Sequence, residues 1–220
     1  MSDAAVPPVP ARSLGAPVRR LFGRHERAVA EAWRSAFVDL DALVADIRAV
    51  RPDVRRILEV GCGEGALSER LVAAWPAARL LGIDVAATVG RLYAGDPARA
   101  GFRRMPLAEV AAAEPAAFDL VVMGDVLHHV PPPARRGLLA EVAATLAPGG
   151  LFVFKDWARA ATPIHFACWA SDRFLTGDDV AFLAPDEARA LLADTFGEAA
   201  VAARPPVRPW SNNYVFHVRA

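Results

Sequence analysis

The 220-residue sequence contains one lysine, Lys155, and two cysteines, Cys62 and Cys168. Two cysteines so far apart, with no secretory leader ahead of them, argue against a disulfide framework or a zinc site. They point instead to a reducing, cytoplasmic setting. No run approaches the length of uncharged apolar residues that a membrane span needs, so none is expected. Neither charge is in surplus. The 25 basic residues offset 25 acidic ones, which removes the global electrostatic case for nucleic acid or an anionic membrane. There is also no internal repeat, no charge block and no basic stripe interleaved with aromatics of the kind that marks an RNA path.

What is present is the composition of a folded core, 54% hydrophobic and 23% charged, at the length of one domain with room for a lid. Residues 1–20, rich in Ala, Pro and Arg, are expected to be a disordered tail rather than a signal peptide. Residues 21–54 are expected to form an N-terminal helical cap, since Leu21, Phe22, Val29, Trp33, Phe37, Leu40, Leu43, Val44, Ile47 and Val50 recur at three- and four-residue steps until Pro52. Residues 55–220 form the main domain, with an irregular aromatic insert at 157–184.

Within that domain, apolar runs alternate with helical patterns. Strands are expected at Arg56–Val60, Arg79–Ile83, Gly101–Met105 (weakly), Phe118–Met123 and Leu151–Phe154, with two more near Ala199–Ala203 and Asn213–Val218. Helices are expected after Gly65, ending at Pro76, then from Pro131–Pro133 to the Ala147-Pro148-Gly149-Gly150 stop, and over Pro185–Phe196, where Asp186 and Glu187 suit the helix dipole. Strands alternating with helices imply a Rossmann-like, doubly wound α/β sheet.

The chemistry concentrates at the first strand end. Gly61, Gly63 and Gly65 lie where a buried strand becomes a helix, and Asp84 ends the next strand about twenty residues on. In a doubly wound sheet those two strand ends lie side by side, so Asp84 can accept hydrogen bonds from both hydroxyls of a ribose. The spacing differs from the dinucleotide fingerprint G-x-G-x-x-G, because glycine falls at every second position. Glu59 also places a carboxylate just before the turn. It repels a pyrophosphate and attracts a cationic sulfonium that carries an amino group.

Ile57–Gly65 resembles the first motif of the class I S-adenosylmethionine-dependent methyltransferases. Leu81-Gly82-Ile83-Asp84 is similar to their second-strand motif, Phe118–Met123 with Asp125–Val130 to the fourth, and Leu146-Ala147-Pro148-Gly149-Gly150-Leu151 to the turn before the fifth. The resemblance covers roughly residues 55–156 and continues by strand pattern to the end. It implies a seven-stranded sheet with an antiparallel last strand, and S-adenosylmethionine as cofactor. It further implies that Gly61, Cys62 and Gly63 hold the methionine part, that Glu59 lies near its amino group, and that Asp84 and Val85 lie at the ribose. Met123, Gly124 and Asp125 would line the cofactor. Many members carry an Asp after the third strand, whereas this chain reads Arg104-Met105-Pro106-Leu107. The adenine contact is therefore expected from backbone near Leu107.

Methyl transfer is an in-line displacement that needs alignment above all. A base is needed only when the nucleophile must lose a proton. His129 and His128, after the fourth strand, and Asp156, ending the fifth, are the candidates for that role. Asp125, His128 and His129 also combine carboxylate and imidazole, but no fourth ligand is evident, so no metal is expected. Trp157, His165 and Trp169 in the aromatic insert, with Arg34 on the cap, are the candidate substrate-binding residues. Asn212 and Asn213 open the last strand and either reach the pocket or serve as turn residues.

The expected activity is methylation of a small molecule at oxygen or nitrogen, in secondary-metabolite or quinone-like biosynthesis. The expected partner is that substrate alone, with no nucleic acid and no membrane, for a cytoplasmic monomer or homodimer. A cyclase or binding protein of the same fold that transfers no methyl group is the alternative, and a nucleotide-dependent oxidoreductase is a third reading.

Overall fold

The computed structural model describes residues 22–159, 164–166 and 180–220. Two helices precede the sheet, α1 (Glu26–Ser35) and α2 (Leu40–Val50). Next come β1 (Arg56–Val60), α3 (Ala66–Ala74), β2 (Arg79–Asp84), β3 (Ala100–Arg104), α4 (Leu107–Ala113) and β4 (Phe118–Gly124). The chain continues through α5 (Arg135–Thr145), β5 (Leu146–Trp157), α6 (Pro185–Phe196), β6 (Val201–Arg204) and β7 (Asn213–Arg219). The sheet order is β3-β2-β1-β4-β5-β7-β6, parallel from β3 to β5, with β7 antiparallel to both β5 and β6. This is the seven-stranded, doubly wound arrangement expected from the sequence.

Alternation along each strand divides the core in two. Leu58, Val60, Val121, Met123, Phe152 and Phe154 point to the face covered by α4, α5 and α6. Ile57, Leu80, Leu120, Val122, Leu151 and Val153 point to the face covered by α2 and α3. A parallel strand buried on both faces reads as a continuous apolar run, which is why β1 and β4 were evident. Each fully buried aliphatic side chain contributes about 1.5–3 kcal/mol.

Four details correct the sequence reading. The helix expected through 21–50 is two helices, because Asp39 is extended and its side chain accepts the Ala42 N–H at 2.9 Å, capping α2. The apolar periodicity ran through the break because Phe37 and Val38 remain packed in it. Helix α4 was unread, since its Ala-rich segment buries little beyond Leu107 and Val110. The helix expected from Pro131–Pro133 opens as a 3-10 turn at Pro132–Ala134 and becomes α-helical at Arg135. Finally, the Pro148-Gly149-Gly150 stop is part of β5. It bulges there, so Phe118 pairs with Leu146 while Leu120 pairs with Leu151. The expected disordered tail at 1–20, with Cys168 and Trp169, lies outside the described residues.

Candidate active site

The carboxyl ends of β1, β2, β4 and β5 lie side by side, and Glu59, Gly61, Asp84, Asp125, His128 and Asp156 lie at or just beyond them. Gly61 N and Cys62 N both donate to Ile83 O, at 2.8 and 3.0 Å, tying the glycine turn to β2. Gly61 has φ +74°, and a Cβ there would lie 2.2 Å from Val126 Cγ2. Only glycine fits. The Asp84 carboxylate is preset by backbone: Gly63 N–H donates to Oδ2 and Ala86 N–H to Oδ1, each at 2.8 Å. Each oxygen keeps a further lone pair for a ligand hydroxyl.

Glu59 is 3% exposed and accepts from the Ser68 hydroxyl. Burial pushes its carboxyl up to about 8, the Ser68 hydrogen bond and nearby Arg34 work against that rise, and Asp84 adds to it. The group is thus held neutral near pH 7, ready to ionise when a cation comes to rest beside it. A Cβ-free cradle, a ribose-suited carboxylate and a buried acid waiting for a cation fit S-adenosylmethionine. Val85 is exposed beyond Asp84, whereas Leu107 and Met123 are core residues whose side chains are buried. Cys62 is buried and its thiol is raised by burial and by Glu59, so it is not a nucleophile.

The other half of the site is a buried polar cluster. His128 Nδ1 is paired with Asp156 Oδ1, which also accepts the Trp157 N–H at 2.8 Å. Burial alone would raise the Asp156 carboxyl. His128, by charge and by hydrogen bond, holds it below the usual range, together with the Trp157 N–H and Lys155. The His128 ring stacks on Phe182 at 4.6 Å and meets His129 at 4.1 Å. His129 itself is exposed. Lys155 Nζ contacts both Asp125 carboxylate oxygens, at 2.7 and 2.6 Å.

Of the substrate candidates, Trp157 is buried, with its ring edge-on to Phe37 at 6.3 Å, and Phe37 meets Trp33 at 5.3 Å. His165 packs edge-on against Phe182 at 5.0 Å, and burial lowers its pKa. Arg34 bonds Glu31 at 2.8 Å and lies near enough to Glu59 to influence it. Asn213 donates to Phe37 O at 2.6 Å and so joins β7 to the cap. The cap is also held by ion pairs from Arg27 to Glu69, from Arg91 to Glu26 and from Arg70 to Glu31.

Sequence reasoning missed Ser68, Val126, Phe182 and Tyr214. Tyr214 is the β7 partner of Asp156, and its phenol is raised by burial and by Asp156 and Asp125. Only the β5–β7 register brings it to the site. Lys155 did carry a signal, as the one lysine in a chain that otherwise uses arginine.

Comparison with known proteins agrees with this fold. A family model described as a methyltransferase domain matches residues 32–193. A ubiquinone biosynthesis O-methyltransferase of Bordetella pertussis is 34% identical over 117 residues, covering 51% of this chain and 47% of that protein. One from Caulobacter sp. is 32% identical over 177 residues, covering 72% and 67%. The chain spans about half the length of the Bordetella relative. Among solved structures, the N-methyltransferase NodS of Bradyrhizobium japonicum, in complex with S-adenosylhomocysteine, aligns over 95% of this chain and 98% of its own, with a TM-score of 0.62 at 19% identity. The Burkholderia thailandensis 1,6-didemethyltoxoflavin-N1-methyltransferase aligns over 97% and 92%, with a TM-score of 0.61 at 17% identity. The chain belongs to the methyltransferase-domain family, and its sheet is that of the class I S-adenosylmethionine-dependent type.

Proposed function

We propose that the chain transfers a methyl group from S-adenosylmethionine to an oxygen or nitrogen of a small molecule. The observation that carries this is the joining of two half-sites at one sheet edge, the Glu59–Gly61–Asp84 cradle and the His128–Asp156 pair. The cofactor supplies an electrophilic methyl on a sulfonium. Glu59 holds its amino end, with Gly61, Cys62 and Gly63 closing on the methionine part through their backbone. Asp84 takes the ribose, Val85 lies beside it, and backbone near Leu107, Met123 and Gly124 lines the rest.

On the acceptor side, Asp156 fixes the tautomer of His128 through Nδ1, and His128 takes the proton that a hydroxyl or amine loses. His129 stands at the mouth of the same turn. Arg34, Trp157 and His165 bound the acceptor's space. The name of the curated relatives, ubiquinone biosynthesis O-methyltransferase, favours a quinone-like acceptor, with a secondary metabolite as the second reading. No helix among the described residues is long and apolar enough to cross a membrane. We place the protein in the cytoplasm as a monomer or homodimer, with no nucleic-acid partner.

Calorimetric titration with S-adenosylmethionine and S-adenosylhomocysteine tests the cofactor half. Asp84→Ala removes the ribose acceptor and frees the Gly63 and Ala86 N–H groups, so affinity is expected to fall about 10- to 100-fold, as for lost hydrogen bonds to a charged group. Wild-type binding weaker than millimolar, or an unchanged mutant, would overturn the assignment.

A further inference from the structure

Asp125 stands at φ +57°, in the left-handed region that a non-glycine residue rarely takes. Lys155 grips it there: the ammonium is 2% exposed and reaches both carboxylate oxygens, at 2.7 and 2.6 Å. Around the same point, one ligand atom each from Asp125, His128 and Asp156 lies within 4.8 Å of the others. Two carboxylates and an imidazole are a donor set that suits a divalent cation. Asp156 is wholly buried, and its Oδ2 has no hydrogen-bond partner among the described residues.

Carboxylates this close repel, so a proton or a cation must compensate them. The Lys155 ammonium lies against one and lowers the pKa of the other. A compact ammonium with three donors acts as a point charge, whereas an arginine presents a planar fork. The one lysine of an arginine-using chain stands at this position.

We infer that Lys155 is the resident cation of the acceptor site, compensating Asp125 by direct contact and Asp156 through its charge, in place of the divalent metal ion that Asp125, His128 and Asp156 would otherwise suit. The inference rests on the acceptor-site reading above. Lys155 is a positioning residue that acts through Asp125, and the site needs no metal ion while Lys155 is in place.

Lys155→Met tests this with Mn²⁺ alone as the probe, read by calorimetry, by electron paramagnetic resonance and by melting temperature. Wild type is expected to bind no Mn²⁺ at millimolar concentration and to melt identically with Mn²⁺ or a chelator. Lys155→Met is expected to bind one Mn²⁺ at least about tenfold more tightly and to melt higher in its presence. Adding Asp125→Asn to that variant is expected to abolish the gain. A purely structural lysine would not produce new metal binding. The inference fails if wild type binds one Mn²⁺ as tightly as the variant, or if a folded variant binds none. Should Lys155→Met not fold, Lys155→Gln, which keeps a donor to Asp125, is read by the same criteria. Failure of wild type to bind S-adenosylhomocysteine would refute the cofactor reading separately and leave the Mn²⁺ outcome to be judged on its own.

Discussion

Gly61→Ala is expected to abolish measurable cofactor binding and to lower the melting temperature substantially. Two effects combine. The left-handed backbone at φ +74° costs an L-residue about 1–2 kcal/mol. The new Cβ would also sit 2.2 Å from Val126 Cγ2, a contact that forces the glycine turn away from the segment that follows β4. Because Gly61 N and Cys62 N both bond Ile83 O, the displaced turn drags the Asp84 end of β2 out of register with the ligand. Calorimetry with S-adenosylhomocysteine should show affinity reduced by more than about 100-fold, roughly 3 kcal/mol. The double variant Gly61→Ala/Val126→Ala removes the clash but not the backbone strain, so part of the lost melting temperature should return. A single variant that binds as wild type does would contradict the cradle described here.

The second large effect concerns Glu59 and has a definite pH signature. Its carboxyl rises from an ordinary 4.5 to about 8 on folding, mainly through burial. The folded state therefore holds a proton that the unfolded chain releases, and stability falls as pH climbs from about 4.5 to about 8. At pH 7 the penalty is roughly 3 kcal/mol at 1.36 kcal/mol per unit. Glu59→Gln mimics the neutral acid, and its amide oxygen still accepts from Ser68. The ligand-free variant should match wild type near pH 4.5 and melt several degrees higher at pH 8. Binding should move the opposite way. In wild type, affinity for S-adenosylmethionine rises with pH up to about 8, because the ligand ammonium favours the ionised form; in Glu59→Gln it is weaker by about 10- to 100-fold and loses that slope. Parallel pH profiles in the two proteins would rule out Glu59 as the partner of the amino group.

These two residues also show how far the sequence could be read. Glu59, Gly61 and Asp84 belong to short motifs at strand ends, and a parallel sheet places such ends side by side whatever the rest of the chain does. The sheet was legible for the same reason, since β1 and β4 are buried on both faces. β3 was faint because, at the sheet edge, it buries none of its residues fully. The acceptor side is long-range. Asp125 and Lys155 are 30 residues apart, His128 and Asp156 28, and Tyr214 arrives only through the β5–β7 pairing. No local pattern encodes those meetings. The break at Asp39 was hidden because helical periodicity continued across it, and α4 because alanine carries almost no amphipathic signal.

The way α1 is attached has a kinetic consequence. Its buried residues are only Glu26 and Ala30, and charged contacts tie it to the glycine-loop side of the sheet: Arg27 to Glu69, Arg91 to Glu26, and Arg70 to Glu31. Such contacts weaken as salt rises, whereas the apolar core beneath does not. Helix α1, whose Arg34 acts on Glu59, is therefore an element whose opening costs little. Ligand exchange is set to quicken with ionic strength while the melting of the sheet stays nearly constant, so the rate at which the cleft turns over is separable from the stability of the domain that carries it.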